Sequence, residues 1–139
     1  MSDTVTEIPA NEAWARLGAD SAAVLIDVRT KPEWSLIGVA DLSPIGRQPL
    51  LVSWQSFPDM AVNEDFVRTV RTSGVADDTA VYVMCRSGAR SRAAAQALAD
   101  AGFSRCFNIS DGFEGDPDER HHRGTIGGWK AAGLPWIQQ

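Results

Sequence analysis

Short apolar runs alternate with helix-like segments along this chain, and that alternation leaves few folds open. Val24-Leu25-Ile26-Asp27-Val28, Ala80-Val81-Tyr82-Val83-Met84 and Cys106-Phe107-Asn108-Ile109 are each too short for an ordinary helix. They are rich in β-branched and aromatic residues, so they read as strands buried on both faces. Helical signals lie between them. Asn11-Glu12 followed by Trp14, Leu17 and Gly18 suggests a short capped helix, and Lys31-Pro32-Glu33-Trp34 a proline-started helical turn. Asn63-Glu64-Asp65 reads as the polar cap and acidic first turn of a helix carrying Phe66, Val67 and Val70 and ended by Gly74. Ser91 to Ala101 is alanine-rich, is closed by Gly102, and places Ala94, Leu98 and Ala101 on one face. Trp129 to Ala132 reads as part of a last helix stopped by Gly133 and Pro135. Such alternation predicts an α/β fold, a mostly parallel sheet covered on both faces.

Two stretches fit this scheme poorly. Val39 to Asp59 carries Pro44, Pro49 and Pro58 and has no clear period, although Leu50-Leu51-Val52 could form a strand fragment. Asp111 to Gly128 is rich in glycine and charge and is long for a connection. Connections of that length are more often functional than idle. This one is a candidate shield for the active site or a contact for a partner.

Bulk properties narrow the setting. The 139 residues fit one domain spanning 1–139, with enough chain to build a core. A net charge of −5 argues against nucleic acid as a general partner. No apolar stretch approaches membrane-spanning length, and Met1-Ser2-Asp3-Thr4 lacks the pattern of a signal peptide. Cys85 and Cys106 are too few for a disulfide framework, so a reducing, cytoplasmic location is expected.

The chemistry concentrates in Cys85-Arg86-Ser87-Gly88-Ala89-Arg90, between a strand-like and a helix-like run. A cysteine there lies beside the free N–H groups and positive dipole of a helix N-terminus, which favour an anion. Arg86, Arg90 and Arg92 concentrate positive charge in the same place, against an acidic background. The spacing therefore predicts an activated thiolate with a seat for an anionic substrate. In open α/β sheets the ligand crevice lies beyond the carboxyl ends of the strands, where Cys85 falls. Cys106, inside an apolar strand, reads as a core residue. His121 and His122 are adjacent and so point in different directions, which argues against a metal site despite the nearby Asp116, Asp118 and Glu119. Trp34, Trp54 and Trp136 could serve the core or mark a surface contact.

From Val24 to Trp136 the chain resembles the single-domain rhodaneses, a family of sulfurtransferases. The resemblance rests on Asp27-Val28-Arg29, on Cys85-Arg86-Ser87-Gly88-Ala89-Arg90-Ser91 and on Gly127-Gly128-Trp129-Lys130-Ala131-Ala132-Gly133-Leu134-Pro135. It implies a three-layer α/β/α fold with about five strands. It also implies a cofactor-free and metal-free transfer of sulfane sulfur from thiosulfate or a similar donor to a thiophilic acceptor, through a persulfide on Cys85. Residues 86–91 would bind the donor, with Arg86 and Arg90 suited to a small dianion and Gly88 giving close backbone approach or positive φ. Asp27 and Arg29 would brace the site. A protein sulfur donor or acceptor is a further possible partner. The chain departs from the family at Gly38-Val39-Ala40-Asp41-Leu42-Ser43, which lacks the usual histidine, and in the expanded segment Phe113 to Ile126.

Two other functions suit the same pattern. Phosphatases and arsenate reductases of this fold place the loop arginine one residue later. The four residues between Cys85 and Arg90 make a loop sized for one sulfur rather than a tetrahedral phosphate. A persulfide carrier or regulatory module would accept sulfur but turn over thiosulfate poorly.

Overall fold

The computed structural model describes residues 5–138. Its centre is a parallel sheet built from β1 (Thr6–Ile8), β2 (Val24–Asp27), β4 (Leu50–Leu51), β7 (Val81–Met84) and β8 (Cys106–Ile109), in the order β1-β8-β7-β2-β4. Two small antiparallel pairs lie outside it: β3 (Val39–Ala40) with β9 (Trp136–Ile137), and β5 (Gln55–Ser56) with β6 (Ala61–Val62). The helices are α1 (Ala10–Ala19), α2 (Lys31–Ile37), α3 (Phe66–Thr72), α4 (Ala89–Asp100) and α5 (Gly128–Ala131), with a 3₁₀ turn at Ser43–Ile45. Among the described residues, no helix is long and apolar enough to cross a membrane.

Strand alternation sorts the core into two layers. Val81, Val83 and Cys85 face one side, where they meet Phe66, Val70, Leu98 and Phe103 from α3, α4 and the turn after α4. Tyr82 and Met84 face the other side, with Leu17, Ile109, Phe113 and Trp129. Small residues on the buried face of α4, Ala94, Ala95 and Ala99, let that helix lie close to the sheet. On the opposite layer α1 and α5 meet through Trp14 and Trp129, edge to face at 5.7 Å. Cys106 is buried in the α4 layer, as its apolar run implied.

Several boundaries differ from the sequence expectation, each for a local reason. The helix expected from Ser91 begins at Ala89, because Gly88 turns the chain with φ +111 and acts as N-cap. Ala89 and Arg90 are therefore helical. Gly18 lies inside α1, and the cap of that helix is supplied from outside: Asp111 Oδ1 accepts the Ala10 N–H at 2.9 Å. Asp111 Oδ2 accepts the Gly128 N–H at 3.0 Å, so one carboxylate holds the starts of α1 and α5. Glu64 and Asp65 precede α3 instead of forming its first turn. The stretch from 39 to 59 contains β3, the 3₁₀ turn, β4 and β5, all too short to give a period.

Asp27 and Arg29 are completely buried and pair with each other. Arg29 Nε donates to Asp27 Oδ1 at 3.0 Å and Nη2 to Oδ2 at 2.7 Å. Arg29 Nη2 also donates to the Gly38 carbonyl at 2.8 Å, and the guanidinium stacks over Phe113, 4.3 Å from the ring centroid. The pair thus ties β2 to the end of α2 and to the segment after β8. Removing one partner of a buried ion pair strands the other charge, at a cost of about 3–5 kcal/mol. Arg29→Leu should therefore lower the urea midpoint sharply at unchanged m-value. Arg29→Leu combined with Asp27→Asn should recover part of the loss.

Candidate active site

Parallel pairing of β2 with β7 sets Asp27 opposite Met84, so the loops leaving both strands emerge side by side. Cys85 follows directly. Its Sγ turns toward the start of α4, where the Gly88 N–H donates to it at 3.1 Å and Ser91 Oγ lies 3.2 Å away. Position 88 demands glycine on two counts. Its φ is +111, and a Cβ there would lie 2.5 Å from the Ser110 carbonyl oxygen. Cys85 is only 1% exposed, so its thiol sits below the surface.

Beneath the thiol lies a polar chain that the strand pattern did not reveal. Asn108, on β8, is completely buried and donates through Nδ2 to Glu7 Oε1 at 2.8 Å and to the Gly88 carbonyl at 3.1 Å. Turning the amide over would set Oδ1 against two acceptors, so its orientation is fixed. Oδ1 then faces the Ser91 hydroxyl, which has one proton and three acceptors in reach: Asn108 Oδ1, the Gly88 carbonyl and Cys85 Sγ. The hydroxyl rotates among these three acceptors. The Cys85 sulfur thus has the Gly88 N–H on one side and the Ser91 hydroxyl within donating distance on the other.

Each arginine of the loop and first helical turn has a carboxylate partner. Arg90 is held bidentately by Glu33, Nη1 to Oε1 at 2.7 Å and Nη2 to Oε2 at 3.0 Å. Glu33 Oε1 also accepts from the Thr30 N–H and hydroxyl at the start of α2. Burial pushes the Glu33 carboxyl up, but hydrogen bonds from Arg90, its charge and the Thr30 donors outweigh that and hold it at about 2. The same bonds raise Arg90 above its ordinary value. Arg92 pairs with Glu7 on the exposed side of α4, with Nε 3.2 Å from Oε2. Arg86 Nε lies 3.5 Å from Glu114 Oε1; the arginine side chain is 45% exposed and the glutamate 14%. Cations at a helix N-terminus oppose its dipole, and these carboxylates offset that.

The segment after β8 is fastened to the reactive loop by its backbone. The Cys85 carbonyl accepts from the Phe113 N–H at 2.8 Å, and the Arg86 carbonyl from the Glu114 and Gly115 N–H groups at 3.0 and 3.1 Å. Gly112 permits this contact, since a Cβ there would lie 2.4 Å from the Arg86 carbonyl oxygen. Phe113 is buried, and Lys130 donates to the Ile37 carbonyl and lies 3.9 Å from the Trp136 ring centroid. Burial lowers the Lys130 pKa, while the Glu114 charge partly opposes the change.

The structure therefore brings Cys85, Gly88 and Ser91 into direct contact. Asp27 and Arg29 lie beneath the neighbouring loop. Arg90 is engaged by Glu33, and Arg86 is the more exposed of the two loop arginines. Ser87 lies in the turn itself, and Ala89 is the first residue of α4. His121 and His122 are exposed, and no metal-ligating cluster occurs among the described residues. Trp34 is buried, Trp54 packs edge to face on Phe66, and Trp136 is partly exposed at the β3–β9 edge. Glu7, Asn108 and Glu114 are site residues that the strand and motif reading passed over. The spacing Thr30-x-x-Glu33 is a capping signature and could have drawn attention to Glu33. A polar residue in the buried run 106–109 could have done the same for Asn108.

Comparison with known proteins agrees with this architecture. A family model described as the STR4 middle domain matches residues 6–139. The chain is 34% identical over 133 residues to an uncharacterized protein, the RP600 homolog of Rickettsia rickettsii, covering 96% of this chain and 98% of that one. It is 28% identical over 135 residues to the thiosulfate sulfurtransferase GlpE of Actinobacillus pleuropneumoniae, covering 97% and 95%. Among solved structures, Rv0390 from M. tuberculosis superposes with a TM-score of 0.90 at 39% identity, covering 99% of this chain and 100% of that one. The rhodanese-like domain of the Alr3790 protein from Anabaena sp. superposes with a TM-score of 0.57 at 19% identity, covering 94% and 99%, a likeness of fold.

The Glu33–Arg90 pair makes a pH-dependent contribution whose sign follows from the depressed carboxyl. Its folded value of about 2 lies below the ordinary 4.5. The contribution is therefore complete above pH 4.5 and is lost as pH falls from there through about 2. The stability difference between the native chain and Glu33→Gln, measured by urea unfolding across pH, should be full near neutrality and vanish near pH 2.

Proposed function

We propose that this chain, which belongs to the family of the STR4 middle domain and has the rhodanese-like fold, is a sulfurtransferase working through a persulfide on Cys85. The observation that carries the reading is the position of one sulfur at the start of α4, against the Gly88 N–H and the Ser91 hydroxyl. In the first step the Cys85 thiolate attacks the outer sulfur of thiosulfate or a similar donor. A new S–S bond forms to Cys85 as the donor's S–S bond breaks, and sulfite leaves when the donor is thiosulfate. In the second step a thiophilic acceptor takes the outer sulfur and Cys85 returns to the thiolate. No electrons are gained or lost overall, because the transferred atom carries its oxidation state with it.

The surroundings of Cys85 suit both steps. A persulfide on Cys85 carries its negative charge one atom beyond Sγ, toward the first turn of α4. The leading N–H groups of that helix have no intrahelical acceptors and can receive an anion there. The Asp27–Arg29 pair and the Glu33–Arg90 pair hold the neighbouring loop, so the cradle does not have to assemble as charge moves. Since Cys85 lies beneath the surface, a donor sulfur reaches it only as the atoms that cover it move.

Intact mass spectrometry after treatment with a sulfane-sulfur donor tests the reading. The chain should gain one sulfur that a reducing agent removes, and Cys85→Ala should remain folded and gain none. An equal gain in Cys85→Ala, or efficient hydrolysis of an aryl phosphate by the native chain, overturns it.

A further inference from the structure

The arginines around Cys85 are already paired with carboxylates. A mouth built for a small dianion would leave guanidinium groups free to receive it. Here Arg90 gives both terminal nitrogens to Glu33, with its side chain 20% exposed, and Arg92 turns to Glu7 on the outer side of α4. Arg86 is the most exposed arginine of the reactive loop proper, and Glu114 stands 3.5 Å from its Nε. Glu114 is held there by its backbone. Its N–H donates to the Arg86 carbonyl, and its own carbonyl accepts from the Gly124 N–H. It belongs to the expanded segment that departs from the family pattern. Lys130, a second cation near Glu114, is committed to the Ile37 carbonyl and the Trp136 ring, and Arg123 donates to the Gly115 carbonyl. Lys31, at the start of α2, is a single exposed ammonium on a flexible stem. The chain as a whole carries −5, which opposes an incoming dianion further.

Building on the sulfurtransferase reading, we infer that Glu114 is a specificity-determining residue, which cancels the charge of Arg86 and directs the site to persulfide donors of low charge in preference to thiosulfate. The charge balance of the two reactions explains the choice. Thiosulfate and the Cys85 thiolate together bring three negative charges into the mouth, and sulfite and the Cys85 persulfide anion leave with the same three. A neutral alkyl persulfide meeting the Cys85 thiolate brings one. The thiolate bonds to the outer sulfur, the donor's S–S bond breaks, and the proton of the outer sulfur passes to the departing thiolate, giving RSH and the Cys85 persulfide anion. That reaction needs no free guanidinium. The amides at the start of α4 suffice for a single sulfur anion.

The test compares loading of Cys85 from thiosulfate and from cysteine persulfide by intact mass spectrometry, with the gain seen in Cys85→Ala subtracted. The native chain should load from cysteine persulfide with a second-order rate constant at least tenfold above that for thiosulfate. In Glu114→Gln, which keeps the size of the side chain and removes its charge, that ratio should move at least tenfold toward thiosulfate, mostly through KM. Glu114→Ala should move it in the same direction and guards against a local effect of the glutamine. A native chain that prefers thiosulfate, or a ratio unmoved in both Glu114 variants, overturns this inference and leaves the Cys85 persulfide standing. Failure of both donors to load the native chain overturns the two together.

Discussion

The parallel ladder between β2 and β7 is the constraint on which the site rests. Setting Asp27 opposite Met84 sends two loops out at the same edge of the sheet, one toward Arg29 and Glu33, the other toward Cys85 and Arg90. A shift of one residue in β7 would turn Cys85 to the opposite layer, because successive side chains alternate between faces. Val81 and Val83 pin the register by filling the α4 layer, and Tyr82 and Met84 by filling the other. The reactive sulfur is thus the last member of a core row. That explains its burial and the short path from Sγ to the first turn of α4.

On this frame the site is arranged as neutralised pairs. Asp27 with Arg29 is fully buried, Glu33 with Arg90 is mostly buried, and Glu7 with Arg92 lies at the surface. Exposed pairs of this last kind contribute little to stability. The buried ones hold geometry: Arg29 joins β2 to the end of α2, and Arg90 joins α4 to the start of α2. With these groups committed, the donors left to the sulfur are dipoles, namely the Gly88 N–H and the leading amides of α4. On the proposed function such fixed dipoles would not have to reorganise as charge passed from Cys85 to the transferred sulfur.

How much of this was legible in the sequence depends on how far apart the interacting residues lie along the chain. The run from Ala80 to Gly102 specifies a strand, a tight turn and a helix through local signals alone, and the structure has all of them. The buried character of Cys106 also followed from its own neighbours. By contrast, Arg90 meets Glu33 across 57 positions, and Asn108 meets Glu7 across 101. No local pattern records such a meeting. Glu7 lies on a three-residue edge strand, too short to show alternation. The early start of α4 was missed because Ala89 and Arg90 look like loop residues until Gly88 is seen to be the cap.

The expanded segment after β8 changes the meaning of the reactive loop even though it adds nothing to its sequence. Carbonyls of Cys85 and Arg86 accept from Phe113, Glu114 and Gly115. Those bonds couple the backbone of the nucleophile to a segment whose far end is fixed by Asp111 at α1 and α5. A buried side chain, Phe113, supports the Arg29 guanidinium from the same segment. One connection therefore stiffens the loop from outside, braces it from beneath and supplies the carboxylate that faces Arg86. On the proposed function the loop supplies the reacting atom, and this segment, through Glu114, sets the charge beside Arg86 that a donor would meet on the way in.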